Sequence, residues 1–229
     1  MQQLEQERST SLLDAQAKAD ALFRQIEREG FIRPGVSESA LNEDIYALAH
    51  RMYGVDKYWH KRIVRAGENT LLPYDENPPD LVLQDDDILF LDLGPVFADW
   101  EADFGRTFVL GNNPQKHKLR RDVEIAFAEG KRYFHAHPEI KANELYEYAT
   151  SLAKKYGWEF GGPIAGHLLG QFPHERIPND KISLYVHPEN PLRMSDADAD
   201  GRFRHWILEI HFVDRAHKIG GFYEELLTI

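Results

Sequence analysis

Four carboxylates and one imidazole stand where apolar, strand-type sequence gives little reason for charge: Asp92, Asp103, His167, Glu209 and one of the pair Glu224 and Glu225. Asp92 lies in the run Ile88-Leu89-Phe90-Leu91-Asp92-Leu93, and Asp103 leads into Thr107-Phe108-Val109-Leu110. The turn-formers Gly94, Pro95 and Asp99 between them predict an antiparallel hairpin over 87–107, its turn at Phe97–Ala98. That register sets Asp92 opposite Asp103, with Cβ atoms about 5 Å apart. Two carboxylates that close repel unless something lies between them, and a divalent cation is the natural candidate. Glu209 interrupts WILEIH, where alternation gives it the same face as Ile207 and His211; an acid there is costly unless paired or bound to a cation. In GFYEELL, alternation turns one of Glu224 and Glu225 inward without saying which. His167 lies between Gly166 and Gly170, with His174-Glu175 and Pro178 behind. Together these donors exceed what one ion takes from protein. They suit two divalent ions bridged by shared carboxylates, with Mn, Fe, Co or Zn more natural than a thiophilic metal. Taken singly, the aspartates also read as partly solvated strand ends, and His167 as one of 11 histidines in a Gly-rich loop.

The elements that must position these residues follow from periodicity and punctuation. A helix over about 4–29 carries the stripe Leu4, Leu12, Leu13, Ala15, Ala19, Leu22, Phe23 and Ile26, with Gly30 at its end. Ser37 suits the N-cap of a second helix ending near Gly54. KYWHKRIVR (57–65) reads as a short strand, and a Pro- and Asn-rich loop precedes the hairpin. Pro114 opens a helix to about Ala136, and 141–156 forms another. After Gly157 come strand-like pieces, KISLYV, HWILEIHFV and GGFYEELLTI among them. Helices, hairpin, two helices and then strands predict an α+β chain, an antiparallel sheet covered by helices on one side. No linker divides residues 1–229, so one domain is expected. The net charge of −11 argues against a general nucleic-acid or anionic-membrane binder. With no cysteine, thiolate metal sites are excluded. No apolar run reaches a membrane span and the N-terminus has no signal-peptide core, so a cytoplasmic protein is expected.

The ordered residues resemble the pita-bread metallohydrolases: methionine aminopeptidase, aminopeptidase P, prolidase and creatinase. The matching pieces are Asp92-Leu93-Gly94, then Asp103-Phe104-Gly105-Arg106-Thr107, then Gly166-His167-x-x-Gly170 with His174-Glu175-x-x-Pro178, then Glu209 and Glu224-Glu225. The resemblance runs from about residue 30 to the end. It implies a curved pita-bread sheet and a two-metal site of Asp92, Asp103, His167, Glu209 and Glu224, manganese favoured. It implies that His174 faces substrate and that Glu209 serves as general base as well as ligand. Arg106, Thr107 and Glu175 fall at framework positions near the site. The implied activity is release of an N-terminal residue from a small peptide, of the Xaa-Pro type, by a homodimer. Two departures bear on substrate. Leu72-Pro73-Tyr74 has Pro73 where the peptidases place a substrate-contacting histidine, and Glu209 is followed by Ile210 rather than proline. His60 is then a candidate replacement imidazole, although a surface strand residue is the better expectation for it, with Tyr74, Arg106 and His211 as further substrate contacts. A small non-peptide C–N substrate, as in creatinase, and a non-catalytic binding module are the alternatives. Asp196-Ala197-Asp198-Ala199-Asp200-Gly201 copies half a calcium loop, but Ile207 stands at its twelfth position, so a solvated acidic turn is the better expectation.

Overall fold

A computed structural model describes residues 2–173, 182–198 and 200–229. Helix α1 (Gln2–Arg28) buries Leu12, Ala15, Ala19, Leu22, Phe23 and Ile26 of the expected stripe and leaves Leu4 and Leu13 exposed. Helix α2 (Glu38–Tyr53) begins where Ser37 Oγ accepts from Ala40 N, and ends at Gly54 with φ 66°. Strand β1 (Ile63–Ala66) follows. Glu38, at the first turn of α2, is buried and ties three segments together. Its carboxylate accepts from Ala66 N, from Asn69 Nδ2 and from Leu81 N, which anchors the loop after β1.

Strand β2 (Ile88–Leu93) leads into a small separate hairpin, β3 (Val96–Phe97) and β4 (Trp100–Glu101). Ala98 and Asp99 at its turn both have positive φ, 47° and 70°, as a two-residue turn matched to strand twist demands. Strand β5 (Phe104–Val109) then runs back along β2. The 87–107 hairpin is therefore present but its register differs from the expected one: Asp92 pairs with Gly105 rather than Asp103. The interposed β3–β4 turn shifts the pairing by two residues, which leaves each side chain on its expected face.

Helix α3 (Pro114–Ala136) is capped by Asn113, whose side chain accepts from Gln115 N and Lys116 N, and α4 (Ala142–Tyr156) ends at Gly157 with φ 84°. Strands β6 (Glu159–Phe160), β7 (Leu168–Leu169), β8 (His205–Asp214) and β9 (Ile219–Leu226) complete the chain. KISLYV is not a strand as expected. Of its described residues, 182–184 form a 3-10 turn and Tyr185 makes an isolated antiparallel bridge to His167, with Asn190 Nδ2 donating to the Tyr185 carbonyl. The order in the curved, unclosed sheet is β1-β2-β5-β9-β8-β6, with β7 also on β8, and every pairing is antiparallel. One face carries the two main cores. Leu89, Leu91, Leu93 and Phe104 pack beneath α1 and α2, and Leu208, Ile210 and Phe212 pack beneath α3 and α4. The opposite face is a cavity of about 850 Å³. No helix among the described residues is long and apolar enough to cross a membrane.

Candidate metal centre

One cross-strand row brings the carboxylates together. Reading across the sheet, Ile63 of β1 pairs with Asp92 of β2, Asp92 with Gly105 of β5, Gly105 with Glu224 of β9, and Glu224 with Glu209 of β8. All five lie on the cavity face, since residues directly opposite on paired strands point the same way. Gly105 is the gap in the row. A Cβ there would lie 2.4 Å from Phe222 Cε1 and 3.1 Å from Glu224 Cβ, so only glycine leaves these two side chains their places. Two residues before it, Asp103 reaches the same point from the start of β5. Thr107 holds β5 against β9. Its hydroxyl donates to Phe222 O at 2.8 Å and accepts from Phe222 N at 2.6 Å, replacing a backbone pair.

Asp103 is the centre of the cluster. His167 Nε2 lies 3.1 Å from its Oδ2 and His60 Nε2 lies 3.2 Å from its Oδ1. His60 Nε2 is also 3.5 Å from Asp92 Oδ1. Potential ligand atoms of Asp103, His167 and Glu224 lie within 4.8 Å of one another, as do those of His60, Asp92 and Asp103. Burial pushes the Asp92 carboxyl up to about 7, with the charge of Asp103 adding to the rise and His60 opposing it. Burial likewise pushes Glu209 to about 8 against the pull of His167. Glu224 is raised well above its ordinary value by burial and by its three carboxylate neighbours. Asp103 goes the other way: burial opposes its charge, but His60 and His167 outweigh it and hold the group well below the usual range. Burial disfavours the imidazolium of His60, yet Asp92 and Asp103 raise it to about 9.

This donor set fits divalent cations. It is built of oxygen and imidazole nitrogen alone. Two of its buried carboxylate oxygens, Asp92 Oδ1 and Glu224 Oε2, have no hydrogen-bond partner, and a buried unsatisfied acceptor is costly. Burial and their carboxylate neighbours make three of its carboxyls resist ionisation, and divalent cations would favour the ionised forms.

The structure brings Asp92, Asp103, His167, Glu209 and Glu224 to one wall, with His60 among them. Tyr74 stands at the rim, its ring 5.7 Å from that of His60. His211 lies farther along the cavity. Its Nε2 donates to Thr70 O at 2.8 Å, and burial pushes it down to about 4, so the ring is neutral. Arg106 is not brought to the site. It projects from the other face of the sheet, stacked between Phe104 and Tyr223 and paired with Glu225. Glu225 is thus the outward member of its pair. Ile210 is buried in the helix-side core. His174, Glu175 and Pro178 lie outside the described residues. The acidic turn near Asp198 is closed internally, its carboxylate accepting from Asp200 N, Arg202 N and Arg202 Nε. Sequence reasoning missed Arg65, which is 3% exposed and lines the cavity. Its guanidinium donates to Pro73 O and Glu76 O. Alternation from Ile63 was the available signal. Phe90 and Phe222, packed on Ile63, form an apolar cavity wall.

Comparisons with known proteins bear on the family and the fold. The sequence model of metallopeptidase family M24 matches residues 10–195. The Xaa-Pro dipeptidase of Pyrococcus horikoshii is 29% identical over 126 residues, 55% of this chain and 35% of that protein. The chain spans less than half the length of the curated relatives it matches first. Among solved structures, a prolidase from Thermococcus sibiricus superposes with a TM-score of 0.78 at 22% identity, over 96% of this chain and 56% of that one. The methionine aminopeptidase of Rickettsia prowazekii superposes with a TM-score of 0.71 at 17% identity, covering 98% of both chains.

Proposed function

The chain belongs to metallopeptidase family M24, and on that premise we propose that residues 1–229 form one catalytic domain, a dinuclear-metal hydrolase of the Xaa-Pro dipeptidase or aminopeptidase type. The observation that carries this reading is the row Asp92, Gly105, Glu224, Glu209, completed by Asp103 and His167. Asp92, Asp103, His167, Glu209 and Glu224 would together hold the two ions. When bound, such ions supply Lewis acidity and a water acidic enough to ionise near neutrality.

The remaining chemistry belongs to the chain. Glu209 takes the proton of the attacking water and passes it to the leaving amine. His174 donates to the substrate carbonyl oxygen as charge develops there. Phe90, Phe222 and Ile63 present an apolar wall on which a prolyl ring can pack. Arg65, cationic and buried in the same cavity, favours substrates with a free carboxylate, as dipeptides have. Manganese as resident ion, a homodimer and a cytoplasmic setting are part of the proposal.

Elemental analysis of purified protein, with assays of X-Pro dipeptides beside other dipeptides and small amides and amidines, tests it. The expected result is two divalent ions per chain and preferential X-Pro cleavage, abolished in Glu209→Gln. Turnover in that variant removes the base assignment. Pro73, which replaces a side-chain donor at the cavity mouth, favours the small C–N substrate as second reading. Cleavage of amidines without dipeptides would select it. Two bound ions with no turnover on either set would select a binding module.

A further inference from the structure

His60 lies in the segment between α2 and β1, outside the cross-strand row, yet its position repeats that of His167. Each ring hydrogen-bonds through Nδ1 to the carbonyl of the residue that follows it, Lys61 O at 2.7 Å and Leu168 O at 2.8 Å. A carbonyl only accepts, so Nδ1 carries the hydrogen in both. Each ring then presents Nε2 to Asp103, one to each carboxylate oxygen, at 3.2 Å and 3.1 Å. An imidazole held by its far nitrogen on a backbone carbonyl is the usual arrangement of a metal-binding histidine. The spacing agrees. Two donors each about 2.1 Å from an ion stand about 3.0 Å apart at a right angle and about 3.4 Å apart at the tetrahedral angle. His60 Nε2 is 3.2 Å from Asp103 Oδ1 and 3.5 Å from Asp92 Oδ1.

The surroundings hold His60 there. A Cβ at Gly94 would lie 2.2 Å from His60 Cδ2 and 2.5 Å from Trp59 Nε1, so the histidine occupies space that any side chain at 94 would take. Trp59 packs edge-on against both imidazoles, 4.4 Å from His60 and 4.9 Å from His167. It is fixed through Nε1 on Ala102 O and through its backbone on Gly94 O. The His60 side chain is 6% exposed. With Nδ1 on Lys61 and Nε2 on the aspartates, neither nitrogen is turned to a substrate.

We propose that His60 is a sixth protein ligand of the metal centre, binding through Nε2 the ion held by Asp92 and Asp103, so that each ion carries one imidazole. The inference rests on the two-ion reading above. Its consequence is a centre with one fewer open position on the Asp92 side. An imidazole there also adds a nitrogen donor to a position otherwise held by carboxylate oxygens.

The test is proton NMR of the full chain loaded with Co(II) in ordinary water, where each coordinated histidine contributes one strongly shifted, solvent-exchangeable Nδ1–H signal. Two such signals are expected in the wild type. One is expected in His60→Gln, with Co(II) affinity at that position at least about tenfold weaker. His174→Gln, which keeps both proposed ligand imidazoles, is expected to keep both. A single signal in wild-type protein with two ions bound overturns the proposal and leaves the two-ion reading standing. Loss of a signal in His174→Gln, or retention of both in His60→Gln, also overturns it, because the second imidazole is then another residue. Protein that takes up no Co(II) overturns the two-ion reading itself.

Discussion

The cluster makes the metal-free protein sensitive to alkaline pH in a way that metal removes. Asp92 is carried from an ordinary 3.8 to about 7 and Glu209 from 4.5 to about 8, and Glu224 is raised well above its ordinary 4.5. A carboxyl raised in the folded state binds more protons there than in the unfolded chain, so the fold loses stability as pH rises through the raised value. His60, raised from 6.5 to about 9, acts in the same direction: its contribution is present at low pH and is lost as the ring deprotonates. Asp103, held low, has its transition in acid and leaves this window undisturbed. Each ionisation resisted this strongly costs the metal-free fold about 4 kcal/mol. At about 2–4 °C per kcal/mol for a chain of this size, ionising one such carboxyl lowers the melting temperature by about 10 °C. Two bound cations would reverse the sign, since the ionised carboxylates are the proposed ligands. Calorimetric melting of chelator-treated and metal-loaded protein from pH 5 to 9 is the assay. The metal-free melting temperature should fall and the gap to the loaded protein should widen with pH. A metal-free curve that is flat or rising, or a constant gap, refutes the assignment of these carboxyls to one uncompensated cluster.

Two substitutions separate the centre from its frame. Gly105→Ala should displace Phe222 and Glu224 together, lowering stability by about 1–3 kcal/mol and weakening metal binding; calorimetry and metal titration read the two effects. Arg106→Met removes the stack between Phe104 and Tyr223 and leaves Glu225 unpaired. It should lower stability by about 1–2 kcal/mol with metal stoichiometry unchanged, and loss of an ion from this variant would place Arg106 nearer the site than the sheet allows.

What sequence could carry here, and what it could not, follows from the two-residue period of a strand. The register expected for the 87–107 hairpin was displaced by two, because β3 and β4 form a turn of their own between Asp92 and Asp103. A slip of two keeps every side chain on its face, whereas a slip of one would have turned Asp92 into the helix-side core. The site therefore survives an inaccurate pairing, and parity alone assigns Asp92, Glu209 and His211 to the cavity. The same parity, applied to β5, sends Arg106 to the face opposite Gly105, so the resemblance that placed it near the site was weaker evidence than the alternation of its own strand. It also resolves Glu224 from Glu225 once the partner is known: Glu224 opposes Glu209, already placed by its apolar neighbours. His60 escapes this logic. It sits on irregular chain, 43 residues from Asp103, and reaches the carboxylates because Gly94 leaves room above the end of β2. That glycine belongs to the very run, Asp92-Leu93-Gly94, in which the aspartate was first noticed. No period relates the two positions, so a contact of this kind emerges only when the chain is folded, and it is at such contacts that a member of a family acquires ligands of its own.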